Sequence, residues 1–407
     1  SMVTRARALG AALGGILAAV PAVAEARTTA DEIPAFARRY GASCALCHRP
    51  MPKLNAFGET FAGNGYRLAS EEPARDTVAT GDPELDLPRS VPLAIRLDGF
   101  VQVRVDGKVA SDLQMPYNMK VLSGGPISRS VSYYFYFFLF ERGEVGGIED
   151  AFLYLNDIAG APVDVAAGQF QVSDPLFKRE LRLEVQDYAV YRARVGEQPA
   201  DFTYDRGVML IAEAAGFTVT GILVNGNGRG PAGANRWLDD DENKNGLVHV
   251  TRDVVPGVRW GALGYYGRQR GTAPDSTAVT NRIWMAGLDA TVKVGSVEVN
   301  LQALHREDSR ATFAPGEPVT VVNGGFAELI WRSPDGPQYA YLLYNRVDAS
   351  RPLLDVRLGG PKGIRRYETV SGGLGSLVRR NLRVYAEATW DAEASVAFGT
   401  VGVTTAL

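Results

Sequence analysis

Two cysteines and a histidine form the one cluster of side chains whose spacing specifies a chemistry. Cys44 and Cys47 enclose two residues, and His48 follows directly. Thiols at this spacing can add to the two vinyl groups of a haem while the adjoining imidazole binds its iron, which is the signature of c-type haem attachment. These are the only cysteines among the 407 residues. A redox-active dithiol or a structural disulfide would use the same pair, but the adjoining His48 favours one covalent haem, and therefore one-electron chemistry.

The first two dozen residues indicate export. Arg5 and Arg7 precede an apolar run over 8–20, and Ala22-Val23-Ala24 supplies the small-x-small pattern of a signal-peptidase site. The run is too short for a membrane-spanning helix and is typical of a secretory signal peptide. We therefore predict a signal peptide over 1–24, with cleavage after Ala26 as the alternative. Covalent haem attachment is consistent with this export.

Composition limits the fold and the partners. A formal net charge of -3 argues against nucleic acid as a partner. The chain holds 45 glycines, 17 tyrosines and 16 phenylalanines, with no second long apolar stretch, which favours many short strands joined by turns. The sequence thus predicts an all-β protein.

Alternation of apolar and polar residues identifies the class of sheet. It is clearest over 288–303, where the pattern continues across the turn Gly295-Ser296, and it recurs over 93–104 and 382–391. Segments of about ten residues are long enough for a tilted strand to cross a bilayer. At about 20 residues per strand with its connection, 93–407 gives roughly 16 strands, within 14 to 18.

Apolar and polar residues also alternate in the strands of a soluble β-sandwich. Other features must therefore distinguish a sandwich from a membrane barrel. Aromatic residues cluster near the predicted strand ends, as in 133–138, Trp260, Trp331 and Trp390. Tight turns at 214–216 and 334–336 alternate with long polar loops, notably Gly226 to Gly246. Aromatic girdles and turns that are short on one side only are typical of outer-membrane barrels. We therefore predict a roughly 16-stranded antiparallel outer-membrane porin-like β-barrel over 93–407.

The region before the barrel divides into two parts. Residues 25–75 contain the cysteine motif and are predicted to form a small α-helical monohaem cytochrome c domain that plugs or lines the lumen. Residues 76–92 contain Pro83, Pro88 and Pro92 and are predicted to be a linker. Charged side chains with lumen parity could neutralise haem propionates or admit hydrated cations, although any porin lumen is charged. They are Arg96, Arg104, Glu298, Arg383, Glu387 and Asp391.

The motifs around the cysteines resemble those of a known family. P-A-F-A-R-R-Y-G occupies 34–41, C-A-L-C-H 44–48, P-K-L-N-A-F-G 52–58 and N-G-Y 64–66. With a signal peptide before them and a barrel after them, they resemble the fused monohaem cytochrome c–porin family of bacterial outer membranes, whose best-known members are iron oxidases. The resemblance implies extracellular Fe(II) as electron donor and periplasmic c-type cytochromes as acceptors.

The haem ligands are only partly defined by the sequence. His48 is the predicted proximal iron ligand, and Met51 lies too close to it to reach the opposite haem face. Met115 or Met119 could supply a sixth ligand from a barrel loop, with His249 as a weaker alternative, or the position could hold water or nothing. The predicted aromatic and apolar walls of the haem site are Phe36, Tyr40, Leu54, Phe57, Phe61 and Tyr66.

One loop resembles the first half of a calcium site. Asp241, Asn243 and Asn245 place oxygen donors at positions 1, 3 and 5, and Gly246 follows at position 6. Position 12 is Arg252 rather than glutamate, which excludes an EF-hand. The loop could bind Ca²⁺ or a transient Fe(II), or be a solvated acidic loop.

Three functions are compatible with these patterns. The first is an Fe(II):cytochrome c oxidoreductase that oxidises extracellular iron and passes electrons to periplasmic cytochromes. The second is a generic electron conduit for another donor or acceptor. The third is a porin gated or occluded by its haem domain. The haem potential and reduction by Fe(II) separate the first two, and ion conductance separates the third.

Overall fold

The structure is a computed structural model that describes residues 35–48, 53–68, 77–89, 91–177, 181–356, 362–379 and 381–407. The predicted signal peptide and Met51 lie outside the described residues. Within those ranges, no helix combines the length and apolar character needed to cross a membrane.

The described residues form five short α-helices and twenty strands. The helices are α1 (Ala35–Tyr40), α2 (Cys44–Cys47), α3 (Ala56–Gly63), α4 (Asp174–Phe177) and α5 (Ala189–Arg192). The strands are β1 (Thr77–Ala79), β2 (Asp86–Pro88), β3 (Leu93–Val105), β4 (Val109–Pro126), β5 (Val131–Glu141), β6 (Ile148–Leu155), β7 (Val163–Gln171), β8 (Arg194–Val195), β9 (Tyr204–Ala214), β10 (Phe217–Val224), β11 (Asn245–Val255), β12 (Val258–Thr272), β13 (Ala278–Val294), β14 (Val297–Asp308), β15 (Thr320–Arg332), β16 (Gln338–Ala349), β17 (Leu354–Asp355), β18 (Arg366–Arg379), β19 (Leu382–Asp391) and β20 (Val396–Ala406).

Sixteen of these strands close an antiparallel barrel. The barrel excludes only the short pairs β1–β2 and β8–β17. Closure is made by β20 on β3, with Ala406 opposite Arg96 and Ala397 opposite Val105. A closed sheet has no unpaired edge, so its backbone polar groups are satisfied within the wall. The strand count and the antiparallel pairing predicted from the sequence are confirmed.

The two faces of the wall follow the predicted alternation. Leu288 on β13 is 64% exposed, while Asn300 and Glu328 on β14 and β15 are buried in the lumen. An apolar outer surface around a polar interior is the arrangement of a barrel embedded in lipid. Trp260 and Trp331 are half-exposed beside turns, as expected for a girdle. The girdle prediction was wrong for 133–138, because these residues occupy the middle of β5 and Tyr136 and Phe138 are buried.

The two ends of the barrel differ in their connections. At one end the strands are joined by turns such as those between β9 and β10, β11 and β12, and β13 and β14. At the other end lie the long connections, including 225–244 between β10 and β11. We call these the short-turn end and the long-loop end. In outer-membrane barrels the short turns are periplasmic and the long loops extracellular.

One long connection folds into the barrel instead of away from it. The inward segment, described over 172–177 and 181–203 between β7 and β9, carries α4, α5 and β8. Tyr191 Oη donates to Gln302 Oε1 over 3.0 Å, and the Ala189 amide donates to Asn345 Oδ1 over 3.2 Å. Both acceptors lie on the inner face of the wall. The hydrophobic core of the molecule therefore lies within the lumen, around this segment.

The predicted linker over 76–92 contains a hairpin. β1 pairs with β2, with Val78 opposite Leu87. Gly81 adopts a left-handed φ of +81°, and Asp82 Oδ1 accepts a hydrogen bond from the Glu84 amide over 2.9 Å. A glycine in this conformation and an aspartate that binds the backbone two residues ahead are both turn devices. The prolines of this region predict a linker, and the structure adds that part of this linker forms a short antiparallel hairpin.

Candidate haem attachment site

The N-terminal segment, described over 35–48 and 53–68, is held inside the short-turn end of the barrel. Lys53 Nζ lies 3.0 Å from Glu298 Oε1 and 2.9 Å from Glu328 Oε2, and all three side chains are buried. On another part of the wall, Tyr154 Oη donates to the Gly63 carbonyl over 2.5 Å. Since these contacts reach β14, β15 and β6, the segment is fixed to separate parts of the wall.

The segment and the wall enclose a cavity of about 430 Å³. This volume falls within the roughly 300–1,000 Å³ typical of pockets that hold a small molecule or cofactor. The attachment motif and all the predicted wall residues of the haem site line it: Phe36, Tyr40, Cys44, Cys47, His48, Leu54, Phe57, Phe61 and Tyr66. The barrel contributes Ala94, Ile95, Arg96, Leu122, Ser123, Gly124, Arg383, Thr404 and Ala406. We call this space the attachment cavity.

Local structure explains how the two thiols come together. Cys44 and Cys47 are the first and last residues of α2, and positions three apart on a helix share a face. The His48 amide donates to the Cys44 carbonyl over 2.9 Å, which closes the turn. The chain then extends, so that His48 forms an isolated β-bridge with Leu54. The motif therefore presents its thiols from one helical turn and its imidazole from the residue that follows.

The L-N-A-F-G stretch at 54–58 fixes α3 against this turn. Asn55 caps α3 by accepting from the Gly58 amide over 3.0 Å, and its Nδ2 donates to the Leu46 carbonyl over 2.9 Å. A Cβ on Gly58 would lie 2.2 Å from the Cys47 carbonyl oxygen. Only glycine allows this approach, because real Cβ atoms do not come so close. Asn55 and Gly58 thus position the attachment turn without touching its reactive atoms.

Aromatic rings form one wall of the attachment cavity. Phe36 stacks on Tyr66 with ring centroids 5.4 Å apart, and Tyr66 stacks in turn on Tyr134 of β5 at 4.7 Å. Phe61 meets Phe36 edge-on at 5.4 Å. Such contacts each add about 0.5–1.5 kcal/mol beyond area burial. Phe57, by contrast, is 40% exposed, so it lies at the rim of the cavity rather than in its wall.

The thiols do not have the environment of a redox-active dithiol. Burial raises the pKa of both Cys44 and Cys47 above the usual value, because desolvation disfavours the thiolate. Reactive dithiols depend on a lowered thiol pKa. The surroundings therefore do not favour disulfide exchange at this pair.

Two arginines give the apolar cavity a charged border. Arg383 on β19 donates from Nη1 to Glu184 Oε1 over 2.6 Å and from Nη2 to Thr404 Oγ1 over 3.0 Å. Arg96 on β3 donates from Nε to Asp98 Oδ1 over 3.0 Å. The cavity thus combines two thiols, an imidazole, apolar walls and two cations suited to carboxylates. This donor set fits haem c.

The other predicted lumen charges do not border this cavity. Glu298 is used in the ion pair with Lys53. Arg104 pairs with Asp106 and is about half exposed. Glu387 and Asp391 line a second cavity of about 570 Å³, which we call the outer cavity. These four charges thus serve other parts of the lumen.

The predicted sixth ligands are not brought to the site. Met115 lines the outer cavity, and Met119 lies on β4 opposite Leu97. His249 Nε2 is 2.8 Å from Asp289 Oδ2 and is buried in the barrel wall. Among the described residues that line the attachment cavity none is a methionine, and His48 is its one histidine. The described residues therefore assign no sixth ligand.

The acidic loop is organised by hydrogen bonds within the protein. Asn245 begins β11, where its Nδ2 donates to Tyr265 Oη over 2.7 Å. Asp241 Oδ1 accepts from the Asn243 amide over 2.6 Å, and Lys244 pairs with Asp239. The described part of the chain has no group of three His, Cys, Asp or Glu placed to hold a metal ion. The calcium loop remains a prediction.

Two features of the site were missed from the sequence. One is Lys53, which nothing near the cysteine motif marks as a buried cation. The other is the inward segment, whose place inside the lumen no pattern in the sequence indicates. Both depend on contacts between residues far apart in the chain, such as Lys53 with Glu328, for which a single sequence gives no local signal.

Comparison with known proteins gives the fold. No protein-family model and no curated protein matches the chain. An anion-selective porin from Comamonas acidovorans is 12% identical, with 78% of this chain and 99% of that one covered and a TM-score of 0.55. A loop L8 deletion mutant of OmpT, an outer membrane protein of Vibrio cholerae, is 14% identical with the same coverage and a TM-score of 0.54. Pseudomonas putida OprB is 10% identical, covering 77% and 94%, with a TM-score of 0.51. The chain thus has the fold of a 16-stranded outer-membrane porin.

Proposed function

We propose that this protein is an outer-membrane c-type cytochrome–porin fusion that carries single electrons from extracellular Fe(II) to periplasmic c-type cytochromes. One observation supports this most: Cys44, Cys47 and His48 line one apolar cavity inside the short-turn end of a closed barrel. A haem c bound there would supply one-electron redox chemistry.

The residues of the cavity have separate tasks in this proposal. Cys44 and Cys47 hold the porphyrin through thioether bonds, and the His48 imidazole binds the iron. The rings of Phe36, Phe61 and Tyr66 exclude water, which strengthens electrostatic interactions inside. Arg96 and Arg383 offer charge-assisted hydrogen bonds to carboxylates at the border.

The position in the barrel suits transfer between two compartments. The hydrocarbon core is about 30 Å thick, so a redox group inside it shortens the path to both sides. Arg383 of the attachment cavity and Glu387 of the outer cavity lie four residues apart on one face of β19. That separation is about 13 Å along a strand. The outer cavity therefore approaches the attachment cavity along this strand.

Charge in the outer cavity favours a cationic donor. Its described lining includes four carboxylates, Asp112, Asp187, Glu387 and Asp391, and one arginine, Arg142. Asp187 is ion-paired to Arg182 and Arg192, so the excess of negative charge rests on Asp112, Glu387 and Asp391. A cleft lined with one sign of charge concentrates ions of the other sign. This supports hydrated Fe(II) as the substrate over an anionic donor.

The test is an absorption spectrum of detergent-purified protein before and after anaerobic addition of Fe(II). We expect a c-type spectrum that changes to the reduced form. Absence of a c-type spectrum would overturn the proposal. A spectrum that responds to dithionite but not to Fe(II) at the working pH would leave the generic electron conduit instead. A Cys44→Ala/Cys47→Ala double variant is the matched control and should carry no covalent haem.

A second candidate is a porin closed by its N-terminal segment. The buried ion pairs of Lys53 with Glu298 and Glu328 favour it, because they hold that segment across the lumen. Ion conductance of the reconstituted barrel, with and without residues 25–75, tests this candidate.

A further inference from the structure

A buried carboxyl lies directly behind the charged border of the attachment cavity. Glu184 belongs to the inward segment, and its side chain is fully buried. Its Oε1 accepts hydrogen bonds from Arg383 Nη1 over 2.6 Å and from Tyr339 Oη. Within the described part of the chain, its other oxygen, Oε2, is buried and has no hydrogen-bond partner.

The groups that face Glu184 come from three strands. They are Arg383, Tyr385 and Glu387 on β19, Tyr339 and Tyr341 on β16, and Arg96 on β3. Burial outweighs the attraction of Arg383 and raises the pKa of Glu184 to about 7. An ionised carboxylate with one oxygen lacking a donor is costly in such a place, and protonation removes that cost. A small change of charge nearby is enough to change its protonation state.

We propose that Glu184 takes up one proton when an electron enters the attachment cavity and releases it when the electron leaves. This inference rests on the proposed function. Arg383 connects the two sites, because it lines the cavity and binds Glu184 through the same guanidinium. Added negative charge in the cavity disfavours the carboxylate and favours the neutral acid.

The step balances in charge and in atoms. A one-electron donor such as Fe(II) would lose one electron and become Fe(III), and a haem c held by Cys44, Cys47 and His48 would supply the acceptor of that electron. Lumen water supplies one proton, and an O–H bond forms at Glu184 Oε2. The net charge of the buried region is unchanged. On transfer of the electron to the acceptor, that O–H bond breaks and the proton returns to water.

Linkage gives the sign of the pH dependence. The reduced protein binds more protons than the oxidised protein, so reduction becomes harder as pH rises through about 7. At a fixed solution potential, the ratio of reduced to oxidised protein should fall by up to about tenfold per pH unit there. Below that range Glu184 is protonated in both states, and the ratio should be constant.

The test is a redox titration of the full haem-loaded chain from about pH 5 to about pH 9, followed by absorbance. We expect a pH-dependent potential in the natural sequence and a pH-independent one in Glu184→Gln. The matched control is Glu149→Gln, which removes another buried carboxyl, one that is ion-paired to Arg229 and lies off the attachment cavity. It should behave like the natural sequence.

A second measurement does not depend on those variants folding. Reduction of the natural sequence should produce an infrared band of a protonated carboxyl. Glu184→Asp keeps the carboxyl and should shift the onset of the pH dependence rather than remove it. Three outcomes would overturn this inference alone. The first is a c-type spectrum with a pH-independent potential in the natural sequence. The others are a pH dependence of the potential that is unchanged in Glu184→Gln, or one that is lost in both Glu184→Gln and Glu149→Gln. Absence of a c-type spectrum would overturn the proposed function and this inference with it.

Discussion

Gly58 has no reactive side chain, yet it limits how the attachment turn can be built. We predict that Gly58→Ala lowers the yield of covalent haem, since its Cβ would lie 2.2 Å from the Cys47 carbonyl and the turn must shift. Overpacking of this kind costs about 1–3 kcal/mol. Gly63→Ala is the matched control, because it changes the same helix at a site where a Cβ meets nothing within 4 Å. The haem-to-protein ratio of both variants checks this, and equal ratios would contradict it.

Lys53 is the second residue whose loss should be costly. Lys53→Met removes the ion pair of the buried Glu328, which keeps only its hydrogen bonds from Tyr188 and Asn300, whereas Glu298 keeps its ion pair with Arg332. Loss of one partner of a buried ion pair costs about 3–5 kcal/mol. We expect the N-terminal segment to be cut by protease much faster while the barrel stays intact. Lys108→Met, which changes an exposed lysine in the turn between β3 and β4, should have no effect. Equal cleavage of the two variants would mean that the ion pairs do not hold the segment.

The same ion pairs predict how docking of the segment depends on pH. Burial alone would lower the pKa of Lys53, but Glu328 and Glu298 together outweigh it, and the pKa lies above the usual value. The stabilisation that a raised lysine pKa gives to the folded state is fully present below the unfolded pKa of about 10.4. It is lost as pH rises through the pKa of the folded state. Protease protection of the N-terminal segment should therefore persist at mildly alkaline pH and fall only above about pH 10.4. Loss already near neutrality would contradict this.

At the scale of whole elements, the barrel wall was far easier to predict than its contents. Each strand repeats a two-residue pattern because one face meets lipid and the other meets the lumen, as in Leu301 next to Gln302 on β14. The inward segment has no such repeat. Tyr188, Ala189 and Tyr191 are buried because the wall surrounds them, and their partners are more than a hundred residues away.

The attachment site likewise has a part that could be predicted from the sequence and a part that could not. Cys44, Cys47 and His48 could be recognised because their chemistry depends on local spacing. Arg383 could be assigned to the lumen by parity, but its contact with Glu184 joins residues 199 apart in sequence. Met115 and Met119 were offered as ligands on sequence grounds alone, and the course of β4 places neither in the attachment cavity.

The outer surface of the wall gives the prediction that belongs to strands. Leu288 lies within β13, away from both ends of the strand, and its side chain is exposed on the outer face of the barrel. Leu288→Arg would therefore place a charge on the lipid face. The cost near the bilayer midplane is about 2–4 kcal/mol. We expect a matching loss of stability in denaturant titrations of the bilayer-embedded protein. Leu288→Ala keeps an apolar surface and should cost clearly less. Equal stability of the two variants would argue that this face does not meet lipid.

In the whole molecule, two obstacles occupy the lumen in series. The N-terminal segment lies at the short-turn end, where Lys53 pairs with Glu298, and the inward segment arises from the connection between β7 and β9 at the long-loop end. One face of β19 borders both cavities: Arg383 lines the attachment cavity, and Glu387 lines the outer cavity. Both segments therefore occupy lumen space beside the strand along which the two cavities approach each other.

Ion conductance through reconstituted barrels tests this view of the molecule. The full chain should conduct poorly, and deletion of residues 25–75 should raise conductance several-fold, because the strand pairing that closes the barrel uses only residues from Leu93 onward. The inward segment remains, so conductance should stay below that of an open pore. Lys53→Met should give brief openings between the two extremes, while Gly63→Ala should match the full chain. If the deletion leaves conductance unchanged, the N-terminal segment does not close the lumen, and the inward segment is the sole barrier to ions.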